Sequence, residues 1–227
     1  MNGQWNRRDF IKAAGLGAAL APLGAAAQSQ DRRKSPAGKP NIVIIMTDQH
    51  RADVCRREGF PLDTTPFLDR LAGQGTWFHR AYTSMPACVP ARTSMLTGRY
   101  PNATRVRTNH NVLDATYERD LIDVVRAQGY ATGLCGKNHS YLRRDRFDHW
   151  LELSHGGGSG PNRTEPEKAF DQYLDGLHHR AAFEATPFPL ECQCPYRAVS
   201  SALQWIDTIR DKPFFLWLSF PEPHNPY

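Results

Sequence analysis

Cys88-Val89-Pro90-Ala91-Arg92 runs on through Thr93-Ser94-Met95-Leu96-Thr97 to Gly98-Arg99. A cysteine beside an arginine pairs a potential nucleophile with a fixed fork of donors for an oxyanion. Thiol phosphatases pair the same two residue types, but as C-x5-R, because their loop must wrap a phosphate. The spacing here is C-x3-R and excludes that chemistry. Four further groups could act on an anion. Asp48 and Gln49 offer hard oxygens for a cation. Lys137 with His139, and Glu222 with His224, offer cationic and proton-transfer groups. Asn109, His110 and Asn111 add short polar side chains. His50, His155, His178 and His179 follow no such pattern and are expected on the surface.

The elements that must position these groups read as alternating strands and helices. Asn41 to Met46 is a continuous β-branched apolar run, the signature of a central parallel strand buried on both faces. It ends at Asp48-Gln49. Thr64-Thr65-Pro66 opens a helix through about Gln74, and Thr76 to Tyr82 reads as a strand. Residues 88–97 form a short helix closed by Gly98. Glu118 to Gln128 is amphipathic, with Leu121, Ile122, Val124 and Val125 on one face and Gly129 as the stop. Tyr130 to Cys135 is a strand ending at Lys137 and His139. Residues 154–166, rich in Gly and Pro, read as a loop. Tyr196 to Arg210 is a helix with Ala198, Ala202, Trp205 and Ile209 on one face. Pro213 to Phe220 is a second wholly apolar strand, ending before Glu222 and His224. This alternation predicts an α/β fold with a mostly parallel sheet. Ligands in such sheets sit beyond the carboxyl ends of the strands. Three strands ending in chemically useful residues can therefore converge on one site.

The long form C-x-P-x-R-[ST]-x-x-x-T-G-R resembles the formylglycine-dependent sulfatases. Thr47-Asp48-Gln49-His50-Arg51-Ala52-Asp53 is similar to that family's first metal-binding strand end. Gly136-Lys137-Asn138-His139 is similar to its G-K-x-H motif, and Pro223-His224-Asn225-Pro226-Tyr227 to its H-x-P-[YF] motif. The resemblance runs from about Asn41 to Tyr227. It implies an alkaline-phosphatase-like fold, a mixed and largely parallel sheet between helices. It implies that a separate formylglycine-generating enzyme oxidises Cys88 to an aldehyde. Hydrated, that aldehyde offers one hydroxyl for attack on sulfur and a second through which the aldehyde re-forms and sulfate departs. By position, Asp48, Gln49 and residue 88 would hold a divalent metal, with calcium the hard ion expected. Arg92 would steady the formylglycine, and Lys137 would bind substrate oxygens. His139 would take the proton in regeneration, and His224 would contact sulfate or protonate the leaving oxygen. Asn109 would contact substrate. Substrates would be sulfated small molecules or carbohydrates.

The family domain is longer than this chain, and its later segment supplies a further Asp with Asn or His, and a lysine. Residues 41–227 are accordingly expected to be the N-terminal portion of the catalytic domain, truncated on the C-terminal side. Relatives with Asp-Gln at the first position include hydrolases of phosphonate and phosphate esters. A phosphonate monoester or phosphodiester hydrolase on the same site therefore stands beside the sulfatase reading, and a non-catalytic fragment beside both.

Asn6-Arg7-Arg8-Asp9-Phe10-Ile11-Lys12, followed by an Ala/Gly-rich run to Ala27, resembles a twin-arginine export signal. Residues 28–40 read as a polar tether. The expected destination is the periplasm or the exterior, with the twin-arginine translocase as a partner. The formal charge is +5, of which the leader holds Arg7, Arg8 and Lys12 against Asp9. The small remainder gives no case for nucleic-acid binding. No run of eighteen apolar residues is present, so no ordinary membrane span is expected. An apolar share of 40% excludes general disorder. Five cysteines are an odd number, and Cys192 and Cys194 are expected to be loop thiols or a disulfide.

Overall fold

The computed structural model describes residues 38–159, 162–209 and 211–226. The leader, most of the tether and Tyr227 lie outside them. Among the described residues, five strands form one sheet in the order β1-β5-β2-β3-β4. These are β1 (Ile42–Met46), β2 (Ala131–Gly136), β3 (His149–Ser154), β4 (Gly157–Gly158) and β5 (Phe214–Ser219). All neighbours run parallel except β4, which pairs antiparallel with β3. The helices are α1 (Pro66–Gln74), α2 (Cys88–Thr97), α3 (Pro101–Thr104), α4 (Leu121–Ala127), α5 (Glu165–Gly176) and α6 (Cys194–Thr208).

The sheet lies between two helical layers. Phe215, Trp217 and Leu134 turn to one face, where they pack with Leu96 of α2 and with Ile122 and Val125 of α4. Phe214, Leu216, Leu218 and Cys135 turn to the other, against Phe170 of α5 and Ala198, Ala202 and Trp205 of α6. Period-two alternation with both faces apolar is why β5 reads as an unbroken hydrophobic run and sits inside the sheet, between β1 and β2.

The strand ends are in register. Met46 and Gly136 both pair with Ser219, so β1, β5 and β2 finish at one level. Gly136 makes this closure possible. Its φ is +107°, and a Cβ there would stand 1.8 Å from the Ser219 carbonyl oxygen. That oxygen accepts a hydrogen bond from the Lys137 amide at 2.6 Å.

Several sequence expectations need correction. The apolar run of β1 predicts burial on both faces, yet Val43 and Ile45 are exposed. The α5/α6 cluster covers β2, β3 and β5, while β1 contributes its other face, Ile42, Ile44 and Met46, to the α2/α4 side. Thr76 to Tyr82 forms no strand. Phe78 and Tyr82 are exposed there, and β-propensity without a pairing edge gives no strand. Residues 154–166 are not one loop, since they hold the end of β3, β4 and the start of α5. The α4 pattern begins at Leu121 behind an Asp120 N-cap, and Val124, expected on the buried face, is exposed. Cys192 and Cys194 are both free and buried. Desolvation pushes the Cys194 thiol up to about 12, as suits a packing residue.

Candidate active site

Cys88 is the first residue of α2, preceded by Ala87 in extended conformation. Gly98 ends the helix in a left-handed turn, with its amide donating to the Ser94 carbonyl. The bounds match the sequence reading. The start of α2 lies at the strand ends, where Cys88 meets Asp48 and Lys137, and a helix start carries the positive dipole end. The Val89 amide is satisfied by Asn109 Oδ1 at 3.0 Å. Asn109, expected to touch substrate, thus caps the helix that carries Cys88. Asn111 accepts from the amides of Arg107 and Thr108 and holds its own loop.

Asp48 follows β1 and is buried. The Cys88 thiol lies 3.5 and 3.6 Å from its two carboxylate oxygens. Lys137 Nζ donates a short bond to Asp48 Oδ2 and lies 3.7 Å from Cys88 Sγ. Arg92 Nη2 reaches Asp48 Oδ2 at 3.4 Å. Burial alone would raise the Asp48 pKa, but Lys137 and Arg92 outweigh it and hold the carboxyl below its ordinary range. Arg92 Nη1 donates to the Lys137 carbonyl at 2.7 Å, the Asn138 carbonyl at 3.3 Å and Ser219 Oγ at 2.8 Å. One guanidinium therefore ties α2 to the ends of β1, β2 and β5.

His224 follows β5. Its ring stacks on His155 with centroids 3.9 Å apart, and its Nδ1 bonds the Asn225 carbonyl at 2.6 Å. His139 is exposed, at a φ of 40°. Desolvation, with Lys137 and Arg92 close by, moves its pKa down. Glu222 has a buried, unpartnered Oε2, and desolvation raises its pKa to about 7. A cavity of about 710 Å³ opens over Asp48, Gln49, Cys88, Arg92, Asn109 and His224.

Asp48, Cys88, Arg92 and Lys137 are thus joined directly, with His224 joined to Lys137 through His155. Gln49 lines the cavity but is exposed, at a left-handed φ of 57°. Of the four histidines expected on the surface, His178 and His179 are exposed as expected, whereas His50 and His155 are partly buried at the site. His155 is half-buried with Nε2 2.5 Å from Lys137 Nζ. His179 lies edge-on to His155 at 5.9 Å and to His224 at 6.2 Å. His50 is also partly buried and lines the cavity. Only pairing of β3 with β2 brings His155 here, and no local spacing announces it. Among the described residues, no three His, Cys, Asp or Glu side chains converge to hold a metal ion.

A model of the family described as Sulfatase matches residues 40–227. An arylsulfatase of Clostridium perfringens is 30% identical over 212 residues, covering 83% of this chain and 44% of its own. An N-acetylglucosamine-6-O-sulfatase of Bacteroides thetaiotaomicron is 30% identical over 223 residues, covering 91% of this chain and 39% of its own. Among solved structures, the phosphonate monoester hydrolase of Agrobacterium radiobacter superposes with a TM-score of 0.63 at 23% identity, covering 83% of this chain and 42% of its own. At that identity the likeness speaks for the fold alone. The chain spans less than half the length of these relatives.

Proposed function

The chain belongs to the sulfatase family, with its alkaline-phosphatase-like fold, and on that premise we propose that the protein hydrolyses sulfate esters at the Cys88 cluster. One observation carries the reading. The side chain at the start of α2 meets a buried carboxylate and a buried lysine that are bonded to each other. A sulfate ester is already anionic, so attack on it needs cations placed beforehand around the transferred group. Lys137 and the start of α2 supply that environment. Arg92 is spent on strand ends and on Asp48, and so acts by holding the other groups in place.

Residue 88 as formylglycine would supply, when hydrated, a hydroxyl for attack and a second that lets the group be restored. The thiol position fits this use, since it is partly exposed to the cavity beside Asp48. Asp48 and the Gln49 carbonyl are hard oxygen donors of the kind calcium takes. They are fewer than the six to eight oxygens that ion binds. Lys137 Nζ binds a non-bridging sulfate oxygen. His224, whose Nδ1 is engaged by Asn225, uses Nε2 toward sulfate or the leaving oxygen. His139 accepts the proton released when residue 88 is restored.

The N-acetylglucosamine-6-O-sulfatase relative supports a sulfated carbohydrate as substrate. The twin-arginine pattern, which lies outside the described residues, supports export to the periplasm or beyond. Among the described residues no helix is long and apolar enough to cross a membrane. The test is a panel of an aryl sulfate, sulfated hexosamines and an aryl phosphonate monoester, offered to full-length protein co-expressed with the formylglycine-generating enzyme. Highest kcat/KM on a sulfate ester is expected. Preference for the phosphonate would overturn the assignment in favour of the other ester class.

A further inference from the structure

We propose that His155 is a positioning residue that holds Lys137 Nζ against residue 88, a role that rests on the reading of Lys137 as the sulfate-binding lysine. Lysine carries a point charge on a flexible four-carbon stem, so its place must be fixed by acceptors. Its Nζ offers three hydrogens and no lone pair. One goes to Asp48 Oδ2. One goes to His155 Nε2 at 2.5 Å. The third is free to face residue 88, whose Sγ is 3.7 Å away. Removing His155 leaves Asp48, among the described residues, as the one side-chain oxygen holding the ammonium, and the stem can rotate about it.

The fold delivers His155 rigidly. Gly136 pairs with Glu152, so the end of β3 lies beside the end of β2, and His155 opens the turn into β4. Gly157, at a φ of +82°, sits so close to Asp171 that a Cβ would stand 1.8 Å from its Oδ1. Asp171 is held by Arg197 at 2.7 Å and by Arg163 at 2.9 Å. The turn is therefore clamped onto α5. Stacking on His224 and the edge of His179 fix the ring plane.

The imidazole is neutral. Desolvation, then Lys137 and His224, push its pKa down to about 3. Because a lysine can only donate, Nε2 accepts and Nδ1 carries the proton. Nδ1 is buried without a hydrogen-bond partner, a loss an apolar side chain would avoid. Packing therefore gives no reason for a histidine here, whereas the bond to Lys137 does.

The test compares His155→Leu and His155→Gln in the full-length protein with residue 88 converted. Leucine removes the acceptor, while glutamine keeps an oxygen near the place of Nε2. A hydrogen bond to a charged group is worth about 1.5–3 kcal/mol, or roughly a ten- to hundredfold rate effect. His155→Leu should lose that much in kcat with little change in KM, and His155→Gln should recover most of it. Crystal structures of both variants give a readout free of turnover. Lys137 Nζ should leave residue 88 in the leucine variant and stay in the glutamine variant. An unmoved Lys137 in His155→Leu, or equal kcat in all three proteins, would overturn the proposal. Should the wild type cleave no ester, the functional reading fails, and the Lys137 position alone decides this one.

Discussion

Arg92→Lys should destabilise the protein far more than its retained charge suggests. The guanidinium is 3% exposed and serves four acceptors on three strand ends. It also lies over the Trp217 ring at 5.5 Å. A lysine ammonium is a single point and cannot bridge the Lys137 carbonyl, Ser219 Oγ and Asp48 together. Each buried acceptor left without a donor costs about 1–3 kcal/mol. With one or two orphaned, the expected loss is about 2–4 kcal/mol. Equilibrium urea unfolding gives this directly, because the midpoint shifts while the slope holds. Tryptophan fluorescence is a suitable signal, since Trp217 sits under the site. Arg99→Lys is the matched control. Arg99 is exposed, and its variant should stay within about 0.5 kcal/mol of wild type. An Arg92→Lys protein within about 1 kcal/mol of wild type, the low end of that cost, would refute the claim that this side chain ties the strand ends together.

Asp120→Ala should cost about 2–4 kcal/mol near neutral pH. It removes the α4 cap to the Asp123 amide and the Arg146 contacts at 2.7 and 2.9 Å, leaving Arg146 paired with Asp123 at 2.6 Å. Burial raises the Asp120 pKa, but Arg146 and the cap amide outweigh it and hold it below 3.8. Its stabilisation is therefore complete above the unfolded value and fades as pH falls through the lower folded one. The gap between wild type and variant in thermal melts should close in strong acid. Gly136→Ala should yield little soluble protein, because a Cβ 1.8 Å from the Ser219 carbonyl forces the β2 and β5 ends apart; normal yield and circular dichroism would contradict the stated register. A reporter fused to residues 1–40 should stay in the cytoplasm when Arg7 and Arg8 are both replaced by lysine, and unimpaired export would remove the twin-arginine reading.

The parts of the site that follow strands are legible in the sequence. Asp48, Lys137 and His224 each come soon after an apolar run, and the α2 bounds follow from Pro90 and Gly98. What the sequence hides depends on pairing. β3 mixes His149, Glu152 and Ser154 with its apolar residues and merges into a glycine-rich stretch that masks its turn. His155 reaches Lys137 only because β3 pairs with β2, a long-range choice with no local signature. Asn109 is named from the sequence as a substrate contact, but its structural bond is not legible there. Its polar side chain looks free for substrate, and only the tertiary structure sets it on the Val89 amide. Thr76 to Tyr82 shows the converse, a strand-like composition with no edge to join.

Residue 88 is proposed to attack the sulfur of a sulfate ester. That attack is tested most directly in full-length Cys88→Ser, whose hydroxyl can attack but cannot be regenerated by elimination. After incubation with an aryl sulfate, the peptide containing residue 88 is weighed by mass spectrometry. The expected result is a sulfate ester on the introduced serine hydroxyl, about one equivalent of phenol released and no further turnover. An unsulfated hydroxyl at position 88 in folded protein, or continued turnover from that variant, would contradict it.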